Sequence, residues 1–246
     1  MPIALNNATK VVGTLLKSGK EYIALMYIHK KINENEIKKT LNEFIGEITQ
    51  LPPKKSSVKR QHRQRNIYYL KIIEIEDQYV LFKVGCQAGT YIRKLIHDFG
   101  LKLGTKAHMV QLIRTKAGPF TDKNWSSLHD LKDAYEYYKE GNEKELKKII
   151  LPLEEITSFL PKIWISDTTV DSICHGADLA IPGISKIESG ILKDDLIAIL
   201  TLKGELVCLA TASKTSEEII EKDKGLASKT KRVIMKENTY PKFLKK

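Results

Sequence analysis

The run EYIALMYIH, residues 21–29, limits the possible folds more than any other stretch. Apolar side chains occupy both of its alternating positions, which predicts a central strand buried on both faces of a sheet. Partners for it stand nearby. IYYLKIIEIE and YVLFKVGC flank Asp77-Gln78 and read as a hairpin, although Asp-Gln is not a favoured turn pair. NENEIKKTLNEFIG carries a helical stripe of Ile37, Leu41, Phe44 and Ile45, with Asn33 or Asn35 to cap its start and Gly46 to end it. Two prolines stop any helix at the head of LPPKKSSVKRQHRQR. In GTYIRKLIHDFG, Ile92, Leu95, Ile96 and Phe99 fall at i, i+3, i+4 and i+7 and predict an amphipathic helix. LGTKAHMVQLIRTKAGPF then reads as a loop, and LHDLKDAYEYYKEGNEKELKKII as helices broken near Gly141.

The character changes at LPLEEITSFLPKIWIS, where Pro152 and Pro161 bracket a linker-like stretch. The strands beyond it are short: KIWIS, LIAILT, ELVCLATAS and KRVIMK, with a turn at Lys203-Gly204. One short helix, DTTVDSICHG, has Asp167 as its expected cap and Gly176 as its stop. The expected class is α+β: a mixed, mainly antiparallel sheet with flanking helices, then a small β-barrel-like domain. The expected divisions are 1–158, 159–240 and a frayed basic tail, 241–246.

Charge narrows the function. Lys plus Arg is 41 against 30 for Asp plus Glu, a net +11 that favours a polyanionic partner, most simply nucleic acid. Six basic residues and no acid lie between 54 and 65: Lys54, Lys55, Lys59, Arg60, Arg63 and Arg65. Interleaved with Ser and Gln, they suit phosphate contacts to RNA or DNA. Cys86, Cys174 and Cys208 are far apart, without metal or disulfide spacing, and are expected to be buried. The six histidines lack ligand spacing, so no metal site is expected. GxGxxG, GxxxxGK[ST] and GxSxG motifs are absent. Neither a membrane span nor a signal peptide is read, and the expected location is cytoplasmic. One residue resists this reading. Arg93 stands in the first turn of a helix beside its apolar face, where a cation needs an anion.

SGKEY, QLPPKKSSVKR, GTYIRKLIHDFGLKLG and HMVQLIRTKAGPF occur in this order. Together they resemble the TruB branch of pseudouridine synthases, in particular its archaeal and eukaryotic dyskerin-type members. PKIWISDTTVDSICHGADLAIPGI resembles the PUA domain that follows the catalytic domain there. The resemblance implies an isomerase that converts uridine to pseudouridine in rRNA or tRNA without cofactor or metal. An aspartate attacks the nucleotide, and the base detaches, turns and rejoins through carbon. The base must first leave its stack. The resemblance also implies a box H/ACA guide RNA and small protein partners.

Carried over by motif, Tyr22 resembles the aromatic residue that stacks on the flipped base. Arg93 resembles the arginine that pairs with the nucleophile. Tyr91 and Leu112 match pocket walls. Residues 104–111 resemble a mobile thumb, with Lys106 and His108 near phosphate. His175, Gly176, Ala177 and Leu179 match the part of a PUA domain that contacts the end of a guide RNA or tRNA.

The family's Gly-Thr-Leu-Asp-Pro segment, which carries the nucleophile, has no counterpart here. Asp98, five residues past Arg93, would face nearly away from it. The expectation is a chain shortened at its amino end, by a misplaced start codon or as an expressed fragment, rather than a natural inactive paralogue. Such a chain would form no pseudouridine, and a sheet edge would stand open. A non-catalytic RNA-binding scaffold and a guide-independent tRNA enzyme are the competing readings.

Overall fold

The computed structural model of the chain describes residues 2–53 and 58–242. It divides into two compact units, Leu15–Trp125 and Ser126–Lys246 with Met1–Thr14. Helix α1, Val12–Lys17, crosses the division. The fold is α+β, with two six-stranded sheets and their helices. Among the described residues no helix is long and apolar enough to cross a membrane.

The first unit is built on β1 (Lys20–Ile28), β2 (Gly46–Gln50), β3 (Arg63–Glu76), β4 (Tyr79–Cys86), β5 (Ala107–Ala117) and β6 (Phe120–Thr121), in the order β2-β3-β4-β1-β5-β6. All its pairings are antiparallel. Helices α2 (Glu34–Asn42) and α3 (Ile92–Lys102) pack their apolar stripes on one face. Asn33 is the cap of α2 and accepts the Asn35 N–H at 2.8 Å. The Asp77-Gln78 hairpin forms, with Asp77 at φ 49°, a conformation Asp tolerates better than most residues.

The structure corrects several expectations. Helix α2 ends at Asn42, so Phe44 and Ile45 lie beyond it, and Gly46, at φ 100°, opens β2 rather than stopping the helix. β1 is central, flanked by β4 and β5, but it is not buried on both faces. Ala24, Met26 and Ile28 are buried under the helices, whereas Ile23, Leu25 and Tyr27 on the other face are only half-buried. Residues 107–117 are not a loop but the strand β5, which satisfies the free backbone edge of β1. Its pairing slips twice, between Glu21 and Tyr22 and between Leu25 and Met26, which leaves Thr115 and Val110 as the extra residues. Each slip breaks the period-2 alternation by which a strand is read.

On the half-buried face, Glu21 ties four strands together. It accepts Thr115 Oγ1–H at 2.6 Å and the Tyr69 hydroxyl, and Lys83 Nζ lies 3.5 Å away. Burial opposes its ionisation, but the Thr115 and Tyr69 hydrogen bonds and the Lys83 charge together hold its carboxyl below the ordinary value. Burial, and then the Glu21 carboxylate, push the Tyr69 phenol up to about 12. The Tyr69 contribution is therefore complete below the ordinary value of 10.0 and is lost as pH rises through about 12. The Glu21 contribution is complete above its ordinary value of 4.5 and is lost as pH falls through its lowered folded value. Urea titrations of Tyr69→Phe across pH are expected to show a flatter alkaline limb. An unchanged alkaline limb would assign that limb to other groups.

The second unit holds α4 (Leu128–Lys139), α5 (Lys144–Ile149), β7 (Lys162–Ile165), α6 (Asp167–Cys174), β8 (Leu179–Ala180), β9 (Ile184–Ile187), β10 (Leu196–Thr201), β11 (Leu206–Ala212), α7 (Ser216–Ile220) and β12 (Leu226–Val233). Gly141, at φ 91°, separates α4 from α5. The sheet order is β8-β12-β11-β10-β7-β9, and β10 runs parallel to β7. Val170 and Ile173 of α6 pack with Ile163, Ile165, Ile197 and Val207 of the sheet. Ser166, one residue before the expected cap Asp167, occupies the cap position of α6, and Gly176 follows the helix at φ 89°. β8 and β9, paired with β12 and β7, add to the four strands expected in this unit. All three cysteines are free and buried.

Candidate active site

A cleft of about 340 Å³ opens in the first unit. Tyr22 enters it from β1, Met109 and Leu112 from β5, and Tyr91, Ile92 and Arg93 from the start of α3. Pro53 and Thr90 complete its wall. Tyr22, Tyr91, Arg93 and Leu112 thus line one cleft. The β-bulge at Val110 makes the wall possible. Met109 and Leu112 are an odd number apart, so an unbroken strand would turn them to opposite faces. With the register slip, Met109 pairs Met26 and Leu112 pairs Ala24, both on the helix-covered face.

Tyr22 is half-buried. Burial raises its phenol above the ordinary value, Cys86 adds to this, and the Arg114 guanidinium opposes it. The ring therefore enters the cleft as a neutral phenol at physiological pH. Arg114 faces Tyr22 in the β1–β5 register. It stands two residues beyond Leu112 in HMVQLIRTKAGPF, yet is not among the residues that the family resemblance implies. Cys86 is buried and its thiol is pushed up to about 11, so it is no nucleophile near neutrality.

Arg93 is exposed in the first turn of α3. That turn contains no acidic residue, and the cap residue Tyr91 makes no side-chain cap bond. The positive end of the helix and the guanidinium therefore add together, and an anion is favoured there. Among the described residues no carboxylate lies within 4.0 Å of Arg93. Asp98 is engaged elsewhere, with Lys94 and, at 3.4 Å, His97. Among the described residues no group of three His, Cys, Asp or Glu side chains could hold a metal ion.

Lys54 and Lys55 lie outside the described residues. Lys59 and Arg60 are exposed. Arg63 and Arg65 belong to β3, paired with Gln50 and Ile48, and are half-buried. A methyl group at Gly89, just before the cleft residue Thr90, would sit 3.3 Å from Arg65 Nε, so the basic strand reaches the margin of the cleft. Lys106 is exposed in the turn before β5. His108 stands apart from the cleft: its Nδ1 is 2.9 Å from His29 Nε2, and its ring lies against Tyr27. In the second unit His175 Nδ1 is 2.8 Å from the Asp171 carbonyl, and Gly176 and Ala177 are exposed. The Ala177 carbonyl accepts Thr230 Oγ1–H at 2.7 Å. Leu179 is fully buried in the core and paired with Ser228 in the sheet, so it is not open to direct contact with a ligand.

Three family models match: the C-terminal domain of tRNA pseudouridylate synthase B at residues 93–158, the PUA domain at 161–234, and the Pus10 C-terminal model at 5–118. A Methanopyrus kandleri protein named "Probable tRNA pseudouridine synthase B" is 52% identical over 243 residues, 98% of this chain and 72% of the relative. This chain belongs to the tRNA pseudouridine synthase B family. Its Pyrococcus furiosus relative, with the same name, is 50% identical and covers 100% of this chain and 73% of that protein. Among solved structures, a Cbf5-Nop10-Gar1 complex superposes with a TM-score of 0.93 at 50% identity, over 98% of this chain and 74% of the other. An H/ACA RNP bound to a substrate RNA containing 2'-deoxyuridine superposes at 0.90 with 48% identity, over 97% and 73%. The matches to the tRNA pseudouridine synthase B family run through both units.

Proposed function

We propose that the Tyr22–Arg93 cleft is the uridine pocket of an active site that isomerises uridine to pseudouridine in RNA, on sites chosen by a box H/ACA guide RNA, with an attacking carboxylate that this chain does not itself supply. The observation that carries the reading is the meeting of Tyr22, Tyr91, Arg93 and Leu112 in one cleft beside a basic strand. Tyr22 stacks on the flipped base, and Tyr91 and Leu112 shape the pocket around it. Arg93 holds the attacking carboxylate ionised and aimed. The Lys59–Arg65 stretch and Lys106 carry backbone phosphates. His175, Gly176 and Ala177, all exposed, take the end of the guide RNA or a tRNA, and Leu179 anchors that stretch in the core. Residues 1–158 act as the catalytic domain, 159–240 as the PUA domain and 241–246 as a basic tail. The Cbf5 structures with Nop10 and Gar1 support small RNP proteins as partners. The cytoplasm is the proposed location.

The test compares two RNAs that differ only at the target position, uridine in one and an abasic residue in the other. The chain is expected to prefer the uridine RNA by about tenfold, as one stacked base contributes on the order of 1–3 kcal/mol. Tyr22→Ala is expected to erase the preference. Equal affinities in the native chain would end this reading of the cleft.

One observation favours the scaffold reading as well: among the described residues no carboxylate meets Arg93. With guide RNA, substrate RNA and the small partner proteins, we expect binding and no pseudouridine from this chain alone. Turnover would show that the family's aspartate is not required. Modification of free tRNA would instead point to the guide-independent enzyme, which the names of the relatives support.

A further inference from the structure

Gln50 ends β2 and is 2% exposed, yet it carries an amide with two donors and an acceptor oxygen. Both ends of that amide go to one residue. Its Oε1 accepts the Tyr91 N–H at 3.0 Å, and its Nε2 donates to the Tyr91 carbonyl at 3.2 Å. The flipped amide would set NH₂ against N–H and oxygen against carbonyl, so the pairing itself defines the orientation.

Tyr91 is the cap residue of α3, with φ −95° and ψ 100°, and its side chain makes no cap bond. Its carbonyl also accepts the Leu95 N–H at 3.0 Å, the first bond of the helix. The peptide from which α3 departs is therefore held from outside the helix by Gln50. Two other features converge on Gln50. Leu51, Pro52 and Pro53 follow it, and Pro53 forms part of the cleft wall. The prolines have fixed φ, so they transmit a shift at Gln50 rather than absorb it. Across the β2–β3 ladder Gln50 faces Arg63 of the basic strand.

We propose that Gln50 is a positioning residue of the cleft. Its side-chain amide sets the start of α3 and so places the Tyr91 ring and the Arg93 guanidinium against the bound nucleotide. This inference rests on the uridine-pocket reading above. Gln50 touches neither substrate nor reacting atoms; it acts through the Tyr91 backbone. A substituent that removes the amide leaves the fold's apolar core in place but frees the first turn of α3 to move.

The test uses the full chain, the uridine and abasic RNAs, and the variants Gln50→Met and Gln50→Glu. Methionine keeps the length and the burial and loses both hydrogen bonds. Glutamate keeps an acceptor for the Tyr91 N–H and loses the donor. With Gln50→Met, affinity for the uridine RNA is expected to fall about tenfold while the abasic RNA binds within about twofold of the native chain, as for a displaced positioning group. Adding Gln50→Met to the double variant Tyr91→Ala, Arg93→Ala should then weaken binding no further, because Gln50 acts only by placing those two side chains. Equal losses on both RNAs, or a further loss on top of the double variant, would overturn the proposal and leave Gln50 as a structural residue. If Gln50→Met does not fold, the same comparison is made with Gln50→Glu; failure of both to fold also overturns it. Absence of a uridine preference in the native chain removes the pocket reading and this inference together. A native preference with equal losses in the variant refutes Gln50 alone.

Discussion

Gly100→Ala is expected to destabilise the Leu15–Trp125 unit by about 3 kcal/mol or more, a large share of the roughly 5–15 kcal/mol that holds a domain folded. A methyl group at Gly100 would lie 2.3 Å from the Ala107 nitrogen and 2.8 Å from the Lys106 carbonyl carbon. Both are backbone atoms and cannot rotate aside. Close approach is the reason for glycine here, since α3 lies directly on the start of β5 and the Thr105 N–H reaches the Gly100 carbonyl at 3.0 Å. To relieve the contact α3 must lift from β5, which uncovers Phe99 and shifts the turn that carries Arg93. Gly104 provides the contrast. It sits at φ 64° with open space around it, so Gly104→Ala meets only the left-handed backbone penalty of about 1 kcal/mol. Urea unfolding of the two variants checks the pair. A loss below about 1 kcal/mol for Gly100→Ala would mean that α3 slides freely on β5, contrary to close core packing.

Replacing Lys59, Arg60, Arg63 and Arg65 together by Gln is expected to weaken RNA binding by on the order of several hundredfold at 0.1 M salt. Each phosphate contact on a single strand contributes a slope of about 0.7 in log K against log salt, so four contacts contribute about 2.8. The slope should fall by that amount, and the loss should be the same for the uridine and abasic RNAs. This separates the basic strand from Gln50, whose effect is confined to the uridine RNA. Arg63 and Arg65 also pack within the β2–β3 edge, so Lys59→Gln with Arg60→Gln, both exposed, gives the electrostatic half of the effect without a packing change. An unchanged salt slope would make the segment a solvated basic surface.

Much of this was legible from local pattern. The α3 stripe, the Asp77-Gln78 hairpin, the break at Gly141 and the burial of all three cysteines each depend on a few neighbouring residues. The motif order led to Tyr22, Tyr91, Arg93 and Leu112, and the fold brings those four to one cleft. Other features were hidden for definite reasons. β5 passed for a loop because the bulges at Val110 and Thr115 break its alternation twice. The open face of β1 was invisible because Ile23, Leu25 and Tyr27 are as apolar as the buried Met26 and Ile28. Gln50 opens the QLPPKKSSVKR motif, but its partner is the Tyr91 backbone, and nothing inside the motif points to a residue so far along the chain.

The division between the two follows from the range of the forces involved. Periodicity, capping and charge are properties of short stretches, and from them came the class of the fold, the polyanionic partner and the arginine in need of an anion. Where the cleft lies, which side chains share it and what holds the start of α3 depend on strand register and on a hydrogen bond between residues 50 and 91. Those are contacts between segments far apart in the chain, and they exist only once the β1–β5 ladder and the α3 packing have formed.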